Sequence, residues 1–276
     1  MTLVQAVTLG LVEGVTEFLP VSSTAHLFIV ERLMGLATDA AEQSVSDSFS
    51  IAIQLGAILA VLGLYRDRIA SILRGGMGKD EAGRRLAMCL LLAFFPAMLV
   101  AILFQQWIRR RLFGPWPIVV AWAAGGLAIL LIGRRRPRSS FSAKSMEDLS
   151  WRAALGIGAA QCLALWPGVS RSLVTIAGGL AAGLGPRAAV EFSFLLGLLT
   201  LGTATVHELF INGGKIVALF GWWRPLAGLL VAAASAWVSM RWMVAYLQRH
   251  SFAVFGWYRI GVAALVTALL HGGFLS

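Results

Sequence analysis

The chain has 276 residues, of which 58% are hydrophobic and only 13% are charged, and its formal net charge is +10. A soluble domain carries about 25% charged residues, so this composition excludes an ordinary soluble enzyme. Apolar runs of about 17 to 25 residues recur along the chain and predict an all-α polytopic membrane protein, not a β-barrel with alternating strands. The basic charge then reflects lipid headgroups and the positive-inside rule, so no nucleic-acid partner is expected.

The first apolar segment, about 2–34, is interrupted by the polar sequence EGVTEFLPVSSTAH at 13–26. No basic residue precedes its apolar part, so we do not expect a cleaved signal peptide. Glu13 and Glu17 are four residues apart and would share one face of a helix. Such a pair is tolerated in an apolar segment if it binds a divalent cation, shares a proton or meets an arginine. The alternative is that one or both carboxylates face water at a helix end.

A proline and three hydroxyl residues follow the two carboxylates. Pro20 is expected to break the helix, and one of Ser22, Ser23 and Thr24 would cap the next one. Capping does not require three hydroxyls followed by His26, and we predict that Ser22 and Thr24 bind the substrate. A hydroxyl nucleophile with a nearby base is the general arrangement of covalent catalysis, so the segment predicts a catalytic site.

Six further apolar spans are predicted at about 49–65, 86–108, 116–133, 192–210, 216–239 and 252–270. The loops 66–85 and 134–152 carry net charges of +3 and +4 and are separated by two spans, which places both in the cytoplasm. An acidic segment then faces outward, with Asp39, Glu42 and Asp47. The same topology puts three basic residues outside, against the rule, namely Arg109, Arg110 and Arg111.

The second interrupted segment, about 153–184, contains WPGVSRSLVT at 166–175. Arg171 is costly within an apolar segment, and its planar guanidinium matches the oxygens of a phosphate. A helix that begins here would direct free N–H groups at an anion. The alternative is that Arg171 pairs with Glu13 or Glu17 for packing alone. The residues predicted to surround the anion are Gly168, Ser170, Ser172 and Thr175.

The two interrupted segments resemble each other. FLPVSST in the first matches LWPGVSRS in the second, and DSFSIAIQLGAIL matches VEFSFLLGLLTL. We interpret this as a duplication within one membrane domain, with repeat one at about 1–133 and repeat two at about 153–276. Broken helices at matching positions predict a site at the repeat interface. Four polar residues beside these elements are either partners of the site or helix-to-helix hydrogen bonds: Gln54, Gln161, Glu191 and Ser193. His207 and Glu208 are expected near a helix end.

The chain resembles the undecaprenyl-diphosphatase family, also called bacitracin-resistance proteins, over nearly its whole length. The resemblance is carried by EGVTEFLPVSSTAH at 13–26, FSIAIQLGAILAVL at 49–62, QCLALWPGVSRS at 161–172 and EFSFLLG at 191–197. It implies two inverted repeats, each with a re-entrant helical hairpin. It also implies hydrolysis of undecaprenyl diphosphate to undecaprenyl phosphate and inorganic phosphate. That reaction recycles the lipid carrier of peptidoglycan and other envelope polymers and gives bacitracin resistance.

The resemblance also implies residue roles. Glu13 and Glu17 correspond to the acidic pair that holds Mg²⁺ or Ca²⁺, Ser23 to the proposed nucleophile, His26 to the essential histidine and Arg171 to the diphosphate-binding arginine. Whether serine or histidine attacks stays open. The implied location is the bacterial inner membrane, with the site toward the periplasm.

Two positions depart from the family pattern: Ala25 and Leu173 stand where the family usually has glycine. Leu173 lies beside the predicted anion site and motivates one rival, a paralogue that binds the lipid without turnover. A second rival is a transporter or flippase of the carrier lipid, because broken helices are also transporter architecture. A third is a phosphatase for another isoprenoid tail. The sequence does not fix the oligomeric state, and a homodimer stays open.

Overall fold

The protein is described by a computed structural model that covers residues 1–36, 40–133 and 144–274, with the backbone alone for 40–45, 132 and 133. Within these ranges the chain forms eleven α-helices and no strand. They are α1 (Leu3–Thr16), α2 (Ser23–Leu33), α3 (Ala40–Leu64), α4 (Arg66–Gly76), α5 (Glu81–Leu112), α6 (Pro115–Gly133), α7 (Trp151–Gln161), α8 (Arg171–Ala181), α9 (Pro186–Phe220), α10 (Trp223–Leu247) and α11 (Ala253–His271).

The predicted all-α polytopic membrane fold is confirmed. Five helices in the described part of the chain are long and apolar enough to cross a bilayer: most of α3, and α5, α9, α10 and α11. The other apolar helices include α1, which has 14 residues, and α6, whose apolar segment Pro115–Leu131 lies within the fully described residues. The two interrupted segments are each split as predicted, the first into α1 and α2 and the second into α7 and α8.

Two details of the predicted organisation are wrong. The segment 66–85 is not a loop throughout, because α4 occupies its first half; Ile69 and Ile72 pack against the core while the charged residues face away. The break expected between 210 and 216 is absent, since α9 continues to Phe220. Glu208 therefore lies inside α9, where it accepts hydrogen bonds from Ser48 and Asn212. These hydrogen bonds satisfy the Glu208 carboxylate, so this polar residue does not require a helix end.

Some residues on which the predicted membrane orientation depends lie outside the described residues. These include Asp39, the Glu42 side chain and the basic residues of 134–143. Arg109, Arg110 and Arg111 fall in the last turn of α5. The assignment of the basic loops to the cytoplasm therefore stays a prediction.

The two helical hairpins open toward opposite ends of the long helices. Gln5 Nε2 donates to the Met34 carbonyl (3.3 Å) across the open end of α1 and α2, and Met34 packs in a cluster with Phe49 near the start of α3. The open end of α7 and α8 is closed by Lys144, whose N–H donates to the Gly183 carbonyl (2.9 Å). Beside it, Arg68 binds Glu147 at 2.5 Å, just beyond the other end of α3. The closed ends of the hairpins consequently point toward each other.

Small residues let α1 pack directly on α10. A Cβ at Gly10 would lie 2.3 Å from the Gly228 carbonyl oxygen, and a Cβ at Gly14 would lie 2.3 Å from the Ala232 carbonyl oxygen. Close backbone contact through small residues is typical of membrane helix interfaces. This packing fixes α1, and with it the two carboxylates near its C-terminal end.

Candidate active site

The closed ends of the hairpins are two short loops, residues 17–22 between α1 and α2 and residues 166–170 before α8, which touch each other. Ser172 Oγ donates to the Leu19 carbonyl (2.8 Å), and the Gly168 N–H donates to Ser22 Oγ (3.2 Å). Three residues predicted to bind substrate therefore connect the loops to each other. Gly168 also needs to be glycine, because its φ is +100° and a Cβ would lie 2.8 Å from the Ala121 Cβ.

Both loops end in the same strained backbone conformation. Ser22 and Ser170 each have φ of 74°, and no other non-glycine residue in the described ranges has a positive φ. Each serine directly precedes a helix of 11 residues. Non-glycine residues in this region cost about 1 to 3 kcal/mol and cluster at functional sites. The shared conformation favours the predicted duplication, which itself stays a prediction.

Glu17 joins the functional groups of the two hairpins. The Ser23 hydroxyl donates to Glu17 Oε2, and Arg171 Nη2 donates to Glu17 Oε1 at 3.2 Å. Both members of the ion pair are largely buried, with side-chain exposures of 12% for Arg171 and 5% for Glu17. A hydroxyl, a carboxylate and a guanidinium from distant parts of the chain thus form one buried cluster.

Arg171 is held in place by α9. Its Nη1 donates to the Ser193 carbonyl at 3.0 Å, and its Cζ lies 5.7 Å from the centre of the Phe18 ring. A Cβ at Gly197 would lie 2.3 Å from Arg171 Nη1. Gly197 therefore makes room for the guanidinium, a role that sequence reasoning missed although the residue lies within the EFSFLLG motif.

Glu13 is fully buried, and neither of its carboxylate oxygens has a hydrogen-bond partner. The carboxylates of Glu17 and Glu31, the amide of Gln54 and the guanidinium of Arg171 lie close enough to interact with it electrostatically. No group of three or more His, Cys, Asp or Glu with metal-binding geometry occurs in the described ranges. Mg²⁺ commonly takes only one or two protein carboxylates and completes its shell with water and substrate phosphate oxygens. The orphaned carboxylate of Glu13 fits this kind of site.

His26 is oriented away from the Ser23 hydroxyl. Its Nδ1 lies 2.7 Å from the Ser22 carbonyl oxygen, which only accepts, so Nδ1 carries a proton. Its Nε2 lies 2.8 Å from the Tyr258 hydroxyl, and its ring packs edge-on against Trp122. The group that contacts the Ser23 hydroxyl is Glu17, not the imidazole. The contact with Tyr258 was not predicted, because 232 residues separate the partners.

The remaining predicted hydroxyls have different surroundings. Ser170 Oγ lies 3.0 Å from Ser172 Oγ and accepts the N–H of Leu173 at 3.3 Å. Thr175 Oγ1 lies 2.6 Å from Ser193 Oγ. Thr24 is exposed on α2 and is not part of the buried cluster.

The other polar residues noted in the sequence were expected to be either partners of the site or helix-to-helix hydrogen bonds, and their surroundings differ. Gln54 accepts a hydrogen bond from Thr205 (3.1 Å) and also lies near Glu13. Glu191 pairs with Arg187 of the same helix. The amide of Gln161 is buried with no hydrogen-bond partner among the described residues. Ser193, by contrast, contacts both Arg171 and Thr175.

Both departures from the family pattern are accommodated in hydrophobic clusters. Ala25 is buried within helix α2, where an alanine is favourable, and packs in a cluster with Phe28 and Trp122. Leu173 packs its side chain against the main hydrophobic core, and its N–H is capped by Ser170. Neither side chain obstructs the cluster around Glu17.

The fold and site together define a polytopic membrane protein whose broken helical hairpins meet at a buried carboxylate, hydroxyl and guanidinium cluster. Residues 6–265 match the family model described as bacitracin resistance protein BacA, and the chain belongs to this family. It is 45% identical to the undecaprenyl-diphosphatase of Sorangium cellulosum, over 95% of this chain and 84% of that protein. It is 42% identical to undecaprenyl-diphosphatase 2 of Rhodospirillum rubrum, over 99% of this chain and 97% of the relative.

Proposed function

We propose that this protein hydrolyses undecaprenyl diphosphate to undecaprenyl phosphate and inorganic phosphate. The observation that carries the proposal is the placement of the Ser23 hydroxyl and the Arg171 guanidinium on the two oxygens of one buried carboxylate, Glu17. Relatives that align over nearly the whole chain carry the name undecaprenyl-diphosphatase. The reaction would regenerate the lipid carrier for peptidoglycan synthesis and give bacitracin resistance.

The terminal phosphate would bind between the two loops. Arg171 supplies a guanidinium, and the start of α2 supplies N–H groups, since the Ser22 hydroxyl makes no cap bond. The unbonded N–H groups of a helix N-terminus favour an anion such as phosphate. The isoprenoid tail would extend from this buried position into the lipid.

Ser23 Oγ would attack the terminal phosphorus while its proton passes to Glu17. The bond to the bridging oxygen breaks, and undecaprenyl phosphate leaves with that electron pair. Water then attacks the phosphoserine, Glu17 returns the proton to the Ser23 oxygen, and both hydrogens of the water leave with the inorganic phosphate. Arg171 stabilises the charge on the phosphate oxygens in both steps.

The alternative of attack by histidine requires a rearrangement. The only nitrogen of His26 with a free lone pair is Nε2, and the Tyr258 hydroxyl occupies it. The histidine would have to leave Tyr258 before it could reach phosphorus. The contacts therefore favour serine as nucleophile, with His26 holding the Ser22 carbonyl at the start of α2.

A divalent cation, Mg²⁺ or Ca²⁺, would be held chiefly by Glu13, because both oxygens of Glu17 already have partners. When bound, such an ion neutralises charge on the diphosphate. Glu17 remains a secondary ligand in this proposal.

The proposed location is the bacterial plasma membrane, with the site accessible from the periplasmic side. The first hairpin opens away from α4, which begins the basic segment 66–85. If that basic segment is cytoplasmic, the open end of the first hairpin faces the periplasm. All groups of the proposed site come from one chain, so a homodimer stays a prediction that the chemistry does not require.

The direct test is phosphate release from undecaprenyl diphosphate by the purified full-length protein in detergent. We expect release with Mg²⁺, loss with chelator, and a fall of at least about 100-fold in Glu17→Gln and Arg171→Ala. Thr203→Ala serves as the matched control, because Thr203 is exposed and bonds only within its own helix. Lipid binding without release by the unaltered protein would contradict the proposal and favour carrier transport or a binding paralogue.

A further inference from the structure

Arg259 of α11 lies behind both loops and has no exposed surface. Its Nη1 donates to the Pro20 carbonyl at 3.1 Å, in the first loop. Its Nη2 donates to the Gly168 carbonyl at 2.6 Å, in the second loop, and to the Ala121 carbonyl of α6 at 3.0 Å. One side chain therefore connects the two loops to each other and to two surrounding helices.

This arginine is buried without a carboxylate partner. None of the ion pairs within the described ranges includes Arg259, and its Nε has no hydrogen-bond partner. Burial of an unpaired charge is costly, and three backbone carbonyls offset only part of that cost. A planar guanidinium holds its donors in a rigid fork that spans carbonyls on separate elements, whereas a lysine ammonium is a compact point charge on a flexible stem.

We propose that Arg259 is a positioning residue that fixes the two loops relative to each other. The inference rests on the proposed function, in which Ser23 and Glu17 of the first hairpin act on a phosphate held by Arg171 of the second. Besides the ion pair of Arg171 with Glu17, two hydrogen bonds join the hairpins here, and both depend on single hydroxyls, those of Ser22 and Ser172. Arg259 adds a charged connection that also anchors both loops to the helix bundle.

Gly125 of α6 gives an independent way to displace this guanidinium. A Cβ at Gly125 would lie 2.2 Å from Arg259 Nη2, which makes the bonds to Gly168 and Ala121. Gly125→Ala should therefore move the arginine and leave every loop residue unchanged. Gly261→Ala is the matched control, because Gly261 lies on α11 two residues after Arg259 and a Cβ there meets nothing within 4 Å.

The kinetic test compares Arg259→Lys, Gly125→Ala and Gly261→Ala as purified full-length proteins that release phosphate from undecaprenyl diphosphate. A misplaced nucleophile lowers kcat, whereas the second loop still binds the phosphate with Arg171. We expect kcat to fall at least about tenfold in the first two variants, with KM changed less than about threefold. A merely structural role would lower the folded fraction and the melting temperature but leave kcat per folded molecule unchanged, and that result would overturn the proposal.

A second test does not depend on activity. Backbone hydrogen–deuterium exchange would be measured on the same three variants and the unaltered protein. Arg259→Lys and Gly125→Ala should speed exchange in 17–22 and in 166–170 together, while Gly261→Ala should change neither loop. Unchanged exchange in both loops would refute the proposal that Arg259 positions them. If the unaltered protein releases no phosphate but both variants still exchange faster in the two loops, then Arg259 does position the loops and only the proposed function is wrong.

Discussion

The two loops of the site share a backbone and differ in what their side chains do. Each ends at a serine with φ of 74° that precedes a helix of 11 residues. In the second loop, Ser170 uses its hydroxyl to cap its own helix. In the first, the Ser22 hydroxyl binds Gly168 of the other loop, so the N-terminus of α2 keeps its N–H groups for another acceptor.

The functional side chains are divided in the same way. The first hairpin supplies Glu13, Glu17 and Ser23, whereas the second supplies Arg171. The strained serine conformation builds the same helix start twice, and the residues around it give one copy two carboxylates and a hydroxyl and the other a guanidinium. The backbone alone therefore does not define the role of a loop, because two loops of the same conformation carry different side chains.

The largest effect is expected from removal of the nucleophile. Ser23→Ala should lower kcat by at least about 1,000-fold, because no other hydroxyl in the described structure contacts Glu17. Trapping of the unaltered protein with substrate labelled on the terminal phosphate should give a phosphoenzyme that survives acid and is cleaved by alkali, as a phosphoserine does. An acid-labile, alkali-stable adduct would instead identify His26 as nucleophile.

Glu13→Gln should lower activity about 100-fold at a fixed Mg²⁺ concentration, and higher Mg²⁺ should restore part of it. The variant should be at least as heat-stable as the unaltered protein in chelator, because the substitution removes a buried carboxylate that has no hydrogen-bond partner. The measurements are a Mg²⁺ titration of phosphate release and a melting curve. An unchanged titration midpoint would contradict a role for Glu13 in cation binding.

A smaller effect is expected when Arg171 is displaced without being removed. In Gly197→Ala the new Cβ would lie 2.3 Å from Arg171 Nη1 and push the guanidinium away from Ser193. We expect kcat/KM to fall about 10-fold to 100-fold. Gly202→Ala, on the same helix and with nothing within 4 Å of its Cβ, is the control. Equal activity of both variants would show that the position of Arg171 is not critical.

The smallest effect on activity is expected at Leu173. Its side chain packs against the core and not into the loop cluster, so Leu173→Ala should change kcat/KM by less than about threefold. The melting temperature should fall, since large-to-small core changes typically cost about 2 to 5 kcal/mol. A gain of activity above about tenfold would revive the interpretation that Leu173 marks a weakened paralogue.

Local sequence signals predicted the broken helices and most of the site. Proline, glycine and hydroxyl residues within apolar segments mark the two loops, and the cost of burying Glu17 and Arg171 marks them as functional. The same signals could not predict Arg259 or Tyr258. Both lie on α11, and their partners are 91 to 239 residues away, so only the packing of that helix reveals their roles.

Some contacts could not be predicted for the same reason. Ser22, Ser172 and Gly168 are predicted from the sequence to bind phosphate, which stays a prediction, and the structure adds that their groups connect the two loops. His26 lies one turn beyond Ser23, and its spacing suggested a base for that hydroxyl. The imidazole instead contacts Ser22 and Tyr258, and Glu17 is the group that contacts the Ser23 hydroxyl. Residue spacing alone could not determine this.

In the proposed division of roles, Ser23 of the first hairpin reacts with the phosphate, whereas Arg171 of the second hairpin binds it. The most direct measurement is the affinity of Ser23→Ala and Arg171→Ala for undecaprenyl diphosphate, in the same detergent and at the same Mg²⁺ concentration. We expect Ser23→Ala to bind within about threefold of the unaltered protein and Arg171→Ala to bind at least about tenfold more weakly, because a charge-assisted contact with the diphosphate is lost. Equal weakening in both variants, or unweakened binding in Arg171→Ala, would contradict the division of roles between the two hairpins.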